Sequence, residues 1–123
     1  MPTTPRSLDR PRPHDFVPLK ASVLEILMAL AETPLHGYGI LQRVRERSEG
    51  RVELETGPLY RRMKRLLDDG LVAETDEPDH VEDGDERRRY YTLTDLGRRV
   101  LALEADRLAG LVARQRALGL IHG

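Results

Sequence analysis

At 123 residues the chain has room for one domain with a short tail and not for two, and a chain this size closes an ordinary core without staples. It contains no cysteine, which excludes disulfides, Cys-ligated zinc, iron–sulfur clusters and thiol nucleophiles. With 20 Lys+Arg against 21 Asp+Glu and a formal net charge of -1, no overall field selects a polyanionic partner, so the distribution of charge has to decide.

Residues 1–15 carry Pro2, Pro5, Pro11 and Pro13 and almost no apolar residue larger than Leu8. That composition cannot offset the entropy of ordering, and a disordered N-terminal arm is predicted there. The arm has arginines but no apolar centre, so it does not read as a secretory signal. From Leu19 the pattern changes. Val23, Leu24, Ile26, Leu27, Met28, Leu30 and Ala31 recur on more than one helical face, which predicts a largely buried helix ending near Glu32, before Pro34. Its apolar stretch, Ala21 to Ala31, is interrupted by Glu25 and is far short of the ~20 residues that span a bilayer. A membrane protein is therefore not expected, and the cytoplasm is the default location.

Gly37 and Gly39 flank Tyr38, after which Ile40, Leu41 and Val44 mark one face and Gln42, Arg43, Arg45, Glu46 and Arg47 the other. This predicts a short amphipathic second helix, closed by Ser48, Glu49 and Gly50. A third is predicted with Thr56 as its cap, Pro58 in its first turn and Gly70 as its stop. Leu71 to Thr75 and Arg89 to Leu93 are strand-like runs on either side of a long polar insert, the signature of a hairpin. Alternation puts Tyr91 and Leu93 on one face and Tyr90 on the other, with burial expected for one of the two tyrosines. Thr94 then caps a last helix running through Leu101, Leu108, Leu111, Val112 and Leu118, about 25 residues or nearly 40 Å. That is longer than so small a domain needs to cover itself, and part of its apolar face is expected to meet another chain.

Helix, helix, turn, helix and hairpin in this order make a winged helix-turn-helix, whose third helix enters a DNA major groove. The fold class is thus read as mainly α with a small β-hairpin: a disordered arm over residues 1–15, a winged helix-turn-helix over residues 16–93 and a long dimerisation helix over residues 94–123. At about 100° per residue, Leu59, Met63, Leu66 and Leu67 share one side of the third helix, and Arg61, Lys64 and Arg65 point the opposite way. No acidic residue interrupts Thr56 to Leu67. Such segregation is what phosphate and base-edge contacts require, although an isolated basic run is more simply an ordinary solvated face. Gly57 and Pro58 either let a phosphate approach the helix start or serve as plain capping residues. Arg87, Arg88 and Arg89, at the base of the wing, either grip phosphates or the minor groove, or pair with the acids of Asp76 to Glu86. That acidic wing tip repels a DNA backbone and is expected to point away from it. Tyr60 lies at the side of the third helix, placed to pack inward with its hydroxyl on a phosphate.

The segments LHGYGI (Leu35 to Ile40), GPLYRRMKRLLDDGLV (Gly57 to Val72) and RRRYYTLTDLGRRVL (Arg87 to Leu101) resemble the PadR family of bacterial transcriptional regulators. The resemblance covers about residues 20 to 105, and the single long helix after the wing is similar to the shorter subfamily. It implies a winged-helix homodimer, the last helix packing with the partner's first helix, in which Leu24, Leu27, Leu101, Leu108, Leu111, Val112 and Leu118 would form the interface. It further implies double-stranded DNA as partner, with a near-palindromic operator, and repression of a nearby operon relieved by a small molecule. In short members a drug-like or aromatic effector binds between subunits near the dimer axis. Carried over residue by residue, Tyr38, Tyr60, Lys64 and the run Arg87 to Arg89 fall where family members approach DNA, and Arg61 and Arg65 occupy the variable outward positions. This chain departs from some short members in lacking tryptophan, offering Leu101, Leu108, Leu111 and Val112 where those members stack a flat ligand on an aromatic.

Two other functions fit less of the sequence. For an enzyme, His14, His36, His80 and His122 show no spacing that pairs two of them on one face, and no glycine-rich phosphate loop is present. No catalytic residue, cofactor or metal site is therefore expected. His36 is most simply a turn residue holding the second helix, and His80, amid carboxylates, is more simply part of a solvated loop than of a metal site. The second alternative is a winged-helix protein–protein interaction module without DNA binding, which would lack the steep salt dependence of phosphate contacts.

Overall fold

The computed structural model describes residues 11–76 and 89–122. Four helices, α1 (Ala21–Glu32), α2 (Gly37–Arg47), α3 (Thr56–Asp69) and α4 (Asp95–Ala117), surround a small sheet of β1 (Leu35–His36), β2 (Val72–Thr75) and β3 (Tyr90–Leu93). The first ten residues of the expected arm and most of the wing insert, with Arg87, Arg88 and His80, lie outside the described residues. At the start of the described residues Pro13–Phe16 form one 3-10 turn that lies against α4, and Phe16 packs on the core.

The apolar residues of α1 recur at more than one helical face because the helix is central. Ile26, Leu27, Ala29 and Leu30 are all buried. The helix ends at Thr33, which is extended as a residue preceding proline prefers to be. The α2 helix buries Ile40 and Val44, and α3 buries Leu59, Met63 and Leu66. One expected detail is corrected here. Glu55, not Thr56, occupies the N-cap of α3, with no side-chain cap bond, and Thr56 is the first helical residue. At the other end Gly70 adopts φ 81°, and the Leu71 N–H donates back to the Leu66 carbonyl at 3.0 Å. This left-handed stop turns the chain directly from α3 into β2.

The sheet is antiparallel in the order β1-β3-β2, so β3 is its central strand. Val72 pairs with Leu93 and Thr75 with Tyr90 on one side, and Leu35 with Tyr91 and His36 with Tyr90 on the other. The short strand β1 adds a third member to the expected hairpin. Its presence corrects the expectation that only one tyrosine is buried. Tyr91 enters the core, and Tyr90 is covered by its cross-strand neighbour His36, whose ring meets it edge-on at 5.2 Å.

The cap predicted for α4 is present. The Thr94 hydroxyl accepts from the Gly97 N–H at 3.0 Å and donates to the Gly70 carbonyl at 2.6 Å, tying the helix start to the end of α3. The 23 residues of α4 span about 35 Å. Its first half is held down by the buried Val100 and Glu104. Beyond Glu104 no residue of the helix is buried: Leu108 and Leu111 are half-covered, and Val112 and Leu118 are exposed.

Candidate nucleic-acid interface

The third helix presents two chemically distinct sides. Leu59 and Met63 have essentially no exposed surface, while Arg61, Lys64 and Arg65 are exposed. Arg61 makes no ion pair or hydrogen bond among the described residues. Lys64 lies 3.6 Å from Asp68 and Arg65 3.2 Å from Asp69, one helical turn on. Both cations nevertheless keep over three quarters of their surface in water, at 79% and 78%. Such exposed pairs contribute under about 1 kcal/mol, so they yield readily to a stronger anion.

The N-terminal turns of α2 and α3 come together beside this face. A Cβ added to Gly37, the first residue of α2, would sit 2.6 Å from the Tyr60 hydroxyl, so glycine is what lets that ring lie over the helix start. Tyr60 remains half exposed. Tyr38 projects next to it, its hydroxyl accepting from the Gln42 amide at 3.2 Å, and is among the most exposed large side chains. No acidic residue occupies the first turn of either helix, although Glu55 is the N-cap of α3 and the Gly39 N–H of α2 is taken by His36. Gly57 is different from Gly37. Only the Arg61 guanidinium comes within 4 Å of a Cβ built there, at an ordinary 3.7 Å, so nothing among the described residues requires a glycine; with Thr56 it is exposed at the helix start, and Pro58 is half-buried behind it.

The base holding these helix starts is built by His36. Its Nδ1 accepts from the Gly39 N–H at 3.1 Å, making it the N-cap of α2, as its expected turn role required. Its backbone pairs with Tyr90, and its ring stacks parallel to that of Tyr38 at 6.5 Å. One residue thus joins α2 to the sheet. On the opposite end of α2, Arg43 and Arg47 grip Glu32 of α1, and the Arg47 hydrogen bond is the main cause holding the Glu32 carboxyl below its usual range. These two arginines belong to the scaffold. Arg89 reaches Glu74 across the strands at 3.5 Å.

Against known families, residues 26–103 match the transcriptional regulator PadR-like family. The chain belongs to that family. A solved PadR family regulator from Clostridium difficile superposes with a TM-score of 0.67 at 25% identity, covering 80% of this chain and 98% of the other. Bacillus subtilis PadR in complex with operator DNA superposes with a TM-score of 0.57 at 24% identity, over 68% of this chain and 45% of that one. An uncharacterized 37.1 kDa protein in transposon TN4556 of Streptomyces fradiae is 37% identical over 89 residues, which are 72% of this chain and 23% of the relative. The chain therefore spans under a quarter of that relative's length.

Among the described residues, no helix is long and apolar enough to cross a membrane and no cluster of three or more potential metal ligands occurs. The expected interface residues divide. Leu24, Leu101, Leu108, Leu111, Val112 and Leu118 all keep some accessible surface. Leu27 has none. It is a core residue of the protomer, whereas on the same helix Leu24 is half-covered and Met28 exposed.

Proposed function

We propose that the chain is a sequence-specific DNA-binding transcriptional regulator acting as a homodimer on a near-palindromic duplex site, a repressor whose grip on the operator a small molecule releases. The observation that carries this reading is the outward side of α3, where Arg61, unpaired among the described residues, stands between Lys64 and Arg65 on a helix anchored by buried leucines. Arg61 and Arg65 are offered to base edges. Thr56, Gly57 and Pro58 at the helix start, Tyr38, Tyr60, Lys64 and Arg87 to Arg89 are offered to phosphates. Support comes also from the relative in Bacillus subtilis, which was solved with operator DNA.

The dimer reading rests on α4. Its distal half exposes Val112 and Leu118, and α1 exposes Met28; pairing two copies through these faces would remove them from water. A two-fold dimer that reads one side of a duplex sets its recognition helices roughly 34 Å apart. Selection of bound fragments from a random duplex pool tests the reading: a recovered palindrome with half-sites one turn apart supports it. Titration of the selected duplex against salt then separates it from the protein–protein alternative. Arg61→Ala and Arg65→Ala should each weaken binding and flatten the salt slope without lowering thermal stability; unchanged affinity in both refutes the assigned face.

A further inference from the structure

A groove of about 570 Å³ runs between the segment that precedes α1 and one flank of α3. Its apolar lining comes from Phe16, Leu19, Val23 and Leu66, and its other wall from the arginines at positions 61, 62 and 65 of α3. The volume is in the range of small-molecule sites, which pair an apolar body with a few fixed polar groups.

The charges in it do not balance. Two carboxylates line the groove with the three arginines and Lys20, and both carboxylates are engaged: Asp15 accepts from the Arg12 N–H at 2.9 Å and Asp69 from Arg65 at 3.2 Å. Arg62 is the unusual member. Its Nε is buried without a hydrogen-bond partner, and among the described residues no ion pair reaches its guanidinium. A guanidinium that lines an apolar groove with no anion paired to it among the described residues is matched by a carboxylate or sulfonate in that groove, which can accept two charge-assisted bonds from the planar fork.

We propose that this groove binds a small amphipathic anion, an apolar body carrying one carboxylate or sulfonate that Arg62 receives, and that the bound ligand draws Arg61 and Arg65 away from DNA. The site lies on the recognition helix and not at the dimer axis. Arg62 stands about 200° around the helix from Lys64, so it serves the groove without facing the duplex, while Arg61 and Arg65 border both. The duplex and the ligand therefore compete for the same two guanidiniums, and each weakens the other's binding by the same factor. The competition, but not the ligand site, rests on the function proposed above.

The probe is 8-anilinonaphthalene-1-sulfonate, whose fluorescence rises on entering an apolar site, with the uncharged N-phenyl-1-naphthylamine as control. The wild-type chain should bind the sulfonate saturably. Arg62→Met, which keeps the apolar stem, should weaken it about tenfold, and Arg62→Lys should fall between, with both variants matching wild type in circular dichroism and melting temperature. The uncharged probe should not distinguish the three. Equal sulfonate affinity in all three folded proteins overturns the site. In anisotropy titrations the sulfonate should weaken duplex binding by wild type and leave that of Arg62→Met unmoved. Sulfonate binding through Arg62 with no effect on the duplex overturns the competition alone, and a chain that binds no duplex sinks the DNA reading while the fluorescence result still decides the groove.

Discussion

The carboxylate of Glu104, midway along the last helix, accepts a hydrogen bond from the backbone N–H of Leu19 at 3.1 Å, across 85 residues of sequence. Glu104 is 1% exposed, and Arg107, one turn on, closes the site with two bonds of 2.8 Å. A buried carboxylate is tolerated at such a place because both of its oxygens accept hydrogen bonds, three in all. The contact fixes α4 to the entry of α1, and so fixes the direction in which the projecting half of α4 leaves the domain.

Glu104→Gln should therefore lower stability at neutral pH, and the loss should fade in acid. The Arg107 hydrogen bonds hold the Glu104 carboxyl below its ordinary 4.5, against the opposing effect of burial and with help from the Leu19 N–H. A carboxyl depressed in the folded state stabilises fully above 4.5, and that contribution disappears as pH falls through the folded value. Because Arg107 keeps about a third of its surface in water, the neutral-pH loss should be about 1 kcal/mol. Urea midpoints of the two proteins should differ at pH 7 and converge below pH 4.5; a gap that stays constant with pH removes the charge from the account.

Gly97 gives a prediction of opposite sign to helix propensity. A Cβ on this residue of α4 would lie 2.3 Å from the Leu71 carbonyl oxygen and 2.6 Å from the Leu93 side chain. In an open helix, Gly→Ala gains up to about 1 kcal/mol. Here Gly97→Ala should cost about 2 kcal/mol, because a backbone oxygen cannot turn aside as a side chain can. Thermal melting decides it, and any rise in melting temperature contradicts the close approach.

The pair between Lys64 and Asp68 places a carboxylate on the proposed DNA side of α3. Asp68→Asn removes that competing anion. Duplex affinity should tighten by about two- to fivefold at low salt, with stability within about 0.5 kcal/mol of wild type. Anisotropy titration at two salt concentrations tests this, since an electrostatic gain must shrink at the higher one. A gain that persists at high salt has another origin.

Leu27 and Val112 separate folding from assembly. Leu27→Ala opens a void in the core and should cost about 3 kcal/mol in a urea titration. Val112→Glu puts a charge on an apolar side chain that is 40% exposed, so the protomer should stay folded while sedimentation at micromolar concentration shifts towards monomer. If Val112→Glu leaves the sedimentation coefficient of a dimer in place, the distal half of α4 is not the interface.

By itself the sequence determined whatever depends on the spacing of residues within one element. The four helices, their order and the stop at Gly70 follow from periodicity and turn chemistry, and so does the division of α3 into a leucine side and a cationic side. The recognition of Arg61, Lys64 and Arg65 as outward groups required nothing beyond their place on a helical wheel. Tertiary structure alone decided what covers each remaining face. Strand β1 has two residues, too few to carry a period, and it exists because β3 offers it an edge; Tyr90 is buried for the same reason. Leu27 and Leu24 are indistinguishable in sequence, yet the neighbours that close over one leave the other in reach of solvent. Glu104 and Arg62 carry the plainest lesson, since each looks like a solvated helix charge until a segment distant along the chain folds back against it. Periodicity reports that a side faces inward or outward, and only the packing of distant segments says against what.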